Sequence, residues 1–344
     1  MSVLNVNHLF INSNLNIPSM TEASRDAMSK VIGQVIYNTT KGQFEVWTGD
    51  PDSENDDDYG VGWISSPGPE LYEFSSATFT PGGKSGYTGP SLSQVRAGIS
   101  GNTNWKNDTN FLNSSGGVIS WAVPKDGTYR ITAKGAQGGR SNCYGPAGGK
   151  GAHVTGSFTL SQGDVLKLVV GQRGGDNCYD CGGGGGSYVT TNSNSPLVVA
   201  AGGGGGSASG YPYGGNGYHG RHDTTSGSLG YSSRPGGSNG SGGTGYGASG
   251  GGGGLTGNGS GSWYGFAFTN GAEGRGNQAQ GGFGGGGGGG GTNGAGGGGG
   301  YSGGGATYWS FYGAGGGSYN GGTSQQGSTA AQNNDGAITI TFQG

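Results

Sequence analysis

Charge is scarce in this chain: Asp, Glu, Lys and Arg make up 10% of its 344 residues, and there are four His and three Cys. So few titratable groups leave few acid–base pairs, and none stands out, so the sequence does not read as an enzyme and calls for no cofactor. Its 16 Lys and Arg nowhere reach the density that phosphate binding uses, which removes nucleic acid as an expected partner. No apolar run approaches the length of a membrane span, so no membrane insertion is expected. Met1-Ser-Val-Leu-Asn-Val lacks the charged start and unbroken apolar core of a secretion signal. The expected product stays where it is made until something else carries it. An odd number of cysteines is unlike a secreted disulfide framework.

What is abundant is glycine. With 91 Gly and 11 Pro, about 30% of the chain is glycine or proline, a fraction usually filed as disordered. Disorder, however, goes with few aromatics and high net charge, and this chain has 18 Tyr, 11 Phe, 6 Trp and a net charge of −3. The glycine is also uneven, with 15 in residues 1–134 and 76 in residues 135–344. Together with the expected elements, this divides the chain into an N-terminal module at 1–66, a linker and lead-in at 67–117 and a glycine-rich domain at 118–344.

Pro18-Ser19-Met-Thr-Glu22 reads as a capping box opening a short helix, with Ser19 bonding forward and Glu22 back, and an end near Lys30. Gly33–Tyr37, Asn38–Gly42 and Gln43–Trp47 read as a hairpin with Val35 and Tyr37 facing Phe44 and Val46. A module this small is expected to gain stability by associating with its own copies or a carrier. Pro-Ser-Met-Thr-Glu-Ala-Ser-Arg-Asp-Ala-Met, Gly-Gln-Val-Ile-Tyr-Asn-Thr-Thr and Phe-Glu-Val-Trp resemble the helix-plus-hairpin modules of tail-fibre and other virion structural proteins of large tailed bacteriophages. Such proteins are commonly trimeric, so the resemblance implies a homotrimer attached to other virion proteins. The acidic run Asp50–Asp58 alternates carboxylates as a calcium loop does, yet lacks the Gly and closing Glu of that motif, and a solvated loop is expected.

From Val118 the pattern is all β. Strands are expected at Val118–Val123, Thr128–Ala133, Gly156–Leu160, Val165–Val170, Tyr188–Thr191, Leu197–Ala201 and Ala337–Phe342. Short strands separated by turns suggest a jelly-roll or similar sandwich, with the glycine tracts as insertions held at both ends. Those tracts are Gly182–Gly186, Gly202–Gly206, Gly250–Gly254, Gly296–Gly300 and the run Gly284, Gly285, Gly286, Gly287, Gly288, Gly289, Gly290, Gly291. Ordering glycine is costly in entropy, and without side chains only backbone hydrogen bonding is left to offset it. Side-by-side polyglycine II helices, extended at three residues per turn and about 3.1 Å per residue, provide that bonding.

Tyr87-Thr-Gly-Pro-Ser-Leu-Ser-Gln, Ile-Ser-Trp121-Ala-Val-Pro-Lys-Asp-Gly-Thr-Tyr129-Arg-Ile, Gly135-Ala-Gln-Gly-Gly, Val170-Gly-Gln-Arg-Gly, Pro196-Leu-Val-Val-Ala-Ala-Gly-Gly-Gly-Gly and Gly281-Gly-Phe-Gly-Gly-Gly resemble, in order, the extracellular glycine-rich domain of the anaplastic lymphoma kinase and leukocyte tyrosine kinase receptors. The resemblance spans about residues 75–344 and implies a sandwich similar to that of tumour necrosis factor, with polyglycine helices inserted. The receptor family's cytokine contacts have no matching segments here, so none is carried over. Glycine-rich tips with polyglycine helices are also known in phage adhesins, where the two resemblances meet.

Gly83-Lys84-Ser85 ends like a phosphate loop, but Thr78 stands where the first Gly belongs and Pro81 interrupts it. Cys178-Tyr-Asp-Cys181 has metal or redox spacing; with Cys143 it allows a disulfide, an incomplete zinc set or unpaired structural thiols, and the last is expected. His219-Gly-Arg-His222-Asp223 suits a metal, an acidic sugar or a plain polar loop tip, and no metal site is expected. Aromatic clusters interrupt the glycine where loops between helices are expected to emerge, and Tyr, Ser, Gly and Asn loops have recognition chemistry. Tyr211, Tyr213, Tyr218, His219, Trp263 and Tyr264 are therefore the receptor-binding candidates. The expected function is a phage tail-fibre or fibre-tip adhesin on the virion, binding a host polysaccharide or outer-membrane protein without catalysis. The alternatives are a structural virion component with no receptor, such as a decoration or whisker protein, and a cytokine-binding glycine-rich domain.

Overall fold

The computed structural model describes residues 18–31, 33–40, 43–47, 63–66, 70–101, 103–208, 216–230, 234–276, 278–290, 294–307 and 311–344. The acidic run at 50–58 lies outside the described residues. The chain divides into two compact units, Met1–Glu70 and Leu71–Gly344. The secondary structure is predominantly β-sheet.

In the first unit, β1 (Ser19–Met20), β2 (Val35–Asn38), β3 (Gln43–Trp47) and β4 (Trp63–Ser66) form one sheet in sequence order. The expected hairpin is present in its expected register, with Val35 opposite Val46 and Tyr37 opposite Phe44. The helix differs from expectation. Ser19 is spent in β1, paired in parallel with Tyr37, so the cap falls to Thr21, whose side chain accepts from the Ser24 N–H at 3.3 Å. Helix α1 covers Glu22–Asp26 and stops well before Lys30, whose ammonium instead lies 4.7 Å above the Trp47 ring. The face beneath carries a buried ion pair. Arg25 Nη1 donates to Glu45 Oε2 at 2.6 Å, and Asn38 Nδ2 donates to the same oxygen at 3.0 Å.

The second unit is built on two antiparallel six-stranded sheets. The segment read as linker and lead-in supplies β5 (Ser76–Phe79), α2 (Leu92–Ala97), β6 (Ile99–Gly101) and β7 (Leu112–Ser115). The capping box found in the structure is here, between Ser91 and Gln94. Then come β8 (Val118–Ala122), β9 (Gly127–Lys134), β10 (Gly151–Leu160), β11 (Val165–Val169), β12 (Ser187–Thr191), β13 (Pro196–Ala200), β14 (Tyr319–Asn320), β15 (Thr323–Gln332) and β16 (Ala337–Phe342). One sheet runs β15-β10-β9-β16-β5-β6 and the other β14-β13-β12-β11-β8-β7. Phe79, Ile131, Ile338 and Ile340 from the first share one buried cluster with Ile119, Trp121, Leu168, Val189 and Val198 from the second. Part of the second sheet, at β11 to β13, is buried on both faces. Val169, Tyr188 and Val199, neighbours of those core residues, point the other way and pack with Leu255, Phe268 and Phe283. Apolar runs in place of alternation at 165–170 and 197–201 follow from that double burial.

Three excursions leave the sandwich at one end: 135–150 between β9 and β10, 170–186 between β11 and β12, and 201–318 between β13 and β14. Ala152 donates to Ala201 there, and Ser187 Oγ donates to the Lys134 carbonyl. Their glycine tracts bond sideways with a strict rotation. The amides of Gly182 and Gly185 donate to Gly175 and Gln172, those of Gly183 and Gly186 to Gly287 and Gly284, and that of Gly184 to Gly203. Gly202 and Gly205 likewise donate to Gly299 and Gly296, Gly203 and Gly206 to Ala136 and Gly139, and Gly204 to Tyr218. A strand alternates between two sides, whereas these amides point to three in turn, the period of an extended helix with three residues per turn. The run at 284–291 is not one continuous tract. Gly284 and Gly285 have φ of 101° and 81° in a turn after Phe283, and sideways bonding resumes at Gly287, which donates to Gly297; Gly291 lies outside the described residues.

Only glycine permits the spacing. A Cβ on Gly298 would fall onto the carbonyl oxygen of Gly202, a backbone atom that cannot step aside. We expect Gly298→Ala to cost about 3 kcal/mol or more through overpacking. Gly163→Ala, at an open turn with φ +81°, should cost about 1–2 kcal/mol from conformation alone. Thermal unfolding of the two variants compares them, and equal losses would contradict the close-approach account. In the first unit, Glu45→Ala removes the buried partner of Arg25 and leaves it the more exposed Asp26 and Glu22, which should destabilise by about 1.5–3 kcal/mol. Hydrogen exchange of the Val35–Asn38 amides in the full chain reads that loss.

Candidate functional site

The segment Gly217-Tyr218-His219-Gly220-Arg221 belongs to the bundle. Gly217 and Gly220 donate to Ala147 and Lys150, three residues apart, while Tyr218 and Arg221 donate to Gly313 and Gly316. Gly217 and Gly220 are buried, and a Cβ on either would overlap a neighbouring carbonyl. Tyr218, His219 and Arg221 face outward from a backbone bonded on two sides. Of the 219–223 segment read as a possible polar loop tip, residues 219–221 lie in the bundle, where the Gly-x-x-Gly spacing turns both glycines inward once per turn, and His222 and Asp223 are exposed bends beyond it.

These side chains border a cleft of about 790 Å³, whose walls also include Asp223, Leu229 and Thr329. The Tyr218 ring is 44% exposed and held edge-on by Tyr312, at 5.0 Å between centroids and 82° between planes. Arg221 makes a forked pair with Asp223, Nε donating to Oδ1 at 2.9 Å and Nη2 to Oδ2 at 2.7 Å. That hydrogen-bonded pairing lowers the Asp223 pKa, so it stays ionised. His219 Nδ1 accepts the Lys150 N–H at 2.9 Å, and partial desolvation together with the Lys150 charge holds its pKa below the ordinary 6.5. On the far side of Asp223, His222 Nδ1 lies 2.9 Å from Thr329 Oγ1, which ties the segment to β15. A second cleft there is lined by His222, Thr225, Asn320 and Gln325.

The remaining candidates fall elsewhere. Tyr211 and Tyr213 lie outside the described residues. Trp263 and Tyr264 are half-buried and do not line the cleft; Tyr264 packs on Phe266 at 5.2 Å, with the Arg275 guanidinium over both rings. His219, His222 and Asp223 each have a different partner, and among the described residues no group of three or more His, Cys, Asp or Glu gathers to hold a metal. The cysteines overturn the expectation of unpaired thiols. Cys143 and Cys178 are disulfide-bonded, with 4.8 Å between Cα atoms, because parallel pairing of Ser141 with Asn177 brings their loops together. Cys181 is the free thiol; it is buried, donates to the Asn177 carbonyl, and has its pKa pushed up to about 12 by burial.

Sequence reasoning did not single out Leu229 or Thr329, nor the closure of the Arg221–Asp223 pair. The Arg-x-Asp spacing signals the last, but Thr329 joins the cleft only through the pairing of β15 with β10. No family model matches the chain.

His219 gives a pH test with a defined sign. A lowered native pKa means the fold favours neutral imidazole, so this contribution is present above 6.5 and fades as pH falls through the native value. Imidazole NMR should show Nδ1 unprotonated at pH 6.5 and titration below that pH; a midpoint at or above 6.5 would contradict the Lys150 hydrogen bond.

Proposed function

We propose that the chain is a virion protein of a tailed bacteriophage, a homotrimeric tail-fibre or fibre-tip adhesin that binds a host surface polysaccharide or outer-membrane protein without catalysis. In this reading the second unit is a jelly-roll sandwich of the tumour-necrosis-factor type carrying polyglycine II helices. The first unit attaches it to other virion proteins. The observation that carries the reading is the outward display of Tyr218, His219 and Arg221 from a backbone bonded on two sides. Side chains held by such a scaffold lose little further freedom on binding, and three copies turn weak contacts into avidity. The sequence resemblances to phage fibre modules and to the receptor glycine-rich domain support the same assignment.

A structural virion component without a receptor is the second reading. It is favoured by Trp263, which is half-buried, and by Tyr264, half-buried beside Phe266 and Arg275 in place of standing free. Imaging the assembled particle by electron cryomicroscopy separates the two. The adhesin reading expects residues 216–230 exposed at a free distal end, with the 18–47 region against a carrier. Finding residues 216–230 covered by other virion subunits would overturn it in favour of the structural component.

A further inference from the structure

The cleft beside Tyr218 is rich in hydroxyl groups and has no net charge on its described walls. Arg221 and Asp223 are its ionic side chains, and each occupies the other. Thr224, Ser226, Ser228 and Thr329 add hydroxyls, and Leu229, 61% exposed, adds an apolar surface beside them. An anionic ligand entering here would meet the Asp223 carboxylate as closely as the Arg221 guanidinium, so the pair itself gives it no net attraction; the Lys150 charge acts on His219 at the cleft wall. A neutral polyol faces no such conflict. The guanidinium keeps N–H groups beyond the two spent on Asp223, and the carboxylate keeps free lone pairs, so the pair can donate to one hydroxyl and accept from its neighbour through charge-assisted bonds. Tyr218 supplies the other half of the recognition. Its exposed ring presents an electron-rich face, which suits the polarised C–H side of a sugar ring, and Tyr312 fixes its orientation. The cleft volume falls within the range of about 300–1,000 Å³ found for small-molecule sites.

We infer that this cleft binds a neutral polysaccharide, with Tyr218 stacked on a pyranose and the Arg221–Asp223 pair spanning two adjacent hydroxyls. The inference rests on the adhesin reading for where the sugar comes from, and on the cleft alone for its chemistry. It replaces the acidic sugar considered from sequence, because Arg221 is already paired.

Saturation-transfer NMR and calorimetry on the full chain test it, with mannan, dextran and galactan oligosaccharides as neutral probes and polysialic acid and polygalacturonate as anionic ones. The expected result is binding of at least one neutral probe, weakened tenfold or more by Tyr218→Ala, Asp223→Asn and Arg221→Lys, and retained by Tyr218→Phe, which keeps the ring face. Circular dichroism and thermal unfolding of each variant separate lost contacts from lost folding. Binding confined to the anionic probes, or neutral binding indifferent to all three substitutions, overturns the inference. No neutral binding by a chain that still adsorbs saturably to bacterial cells overturns the sugar class and leaves the adhesin reading standing. Neutral binding by a chain whose cleft is covered in the particle does the reverse.

Discussion

The second unit depends on backbone amides of neighbouring segments bonding to each other across a gap with no room for a side chain. Each glycine ordered in this way loses more conformational freedom than any other residue, and no buried side chain of its own offsets the loss. What remains is the mutual satisfaction of N–H and C=O groups that would otherwise be stranded in the interior. Such bonding is collective. Gly184 is held by Gly203, Gly203 by Ala136, and Ala136 by Gly185, so a tract is ordered only because its neighbours are. The sandwich lowers the entropic threshold by fixing both ends of every excursion on paired strands, which leaves shorter loops to close.

The bundle in turn settles how the sandwich is finished. Val169, Tyr188 and Val199 would stand in water on the outer face of a free sheet; here Leu255, Phe268 and Phe283 cover them, and the Tyr188 hydroxyl donates to the Gly300 carbonyl at 2.9 Å. The aromatics scattered among the glycines thus divide by depth. Phe268 and Phe283 join the bundle to the sheet, Tyr264 and Phe266 lie beneath a guanidinium, and Tyr218 faces the cleft. A side chain set on an ordered backbone is placed more closely than one on a free loop.

Much of this was legible in the sequence. Strands β8, β9, β11, β12, β13 and β16 announce themselves through β-branched and aromatic runs between turn residues, and the uninterrupted tracts announce the bundle. Strand β15 does not: Thr-Ser-Gln-Gln-Gly-Ser-Thr-Ala-Ala-Gln is polar, exposed and irregular in register, and pairs only at the sheet edge. Strands β5 to β7 are three or four residues long, and β5 takes its place from a partner far along the chain, with Ala77 opposite Ile340. The tract containing Tyr218 and Arg221 was hidden because outward-facing residues break the glycine run. At the site, Tyr218 and His219 were visible by type. Their cleft was not, since Thr329 arrives from more than a hundred residues away.

The rotation of hydrogen bonding along the tracts governs how such a chain can change over time. Adding or deleting one residue turns every later amide by a third of a circle, away from the neighbour it bonded and toward a different one. Three residues together restore the direction. Length variation inside the bundle is therefore expected in steps of three, while the turns between tracts are free to vary by any number. The bundle acts as a reading frame written in geometry, and divergence among chains of this kind should collect in the connections and in the outward positions of Gly-x-x-Gly segments such as 217–221.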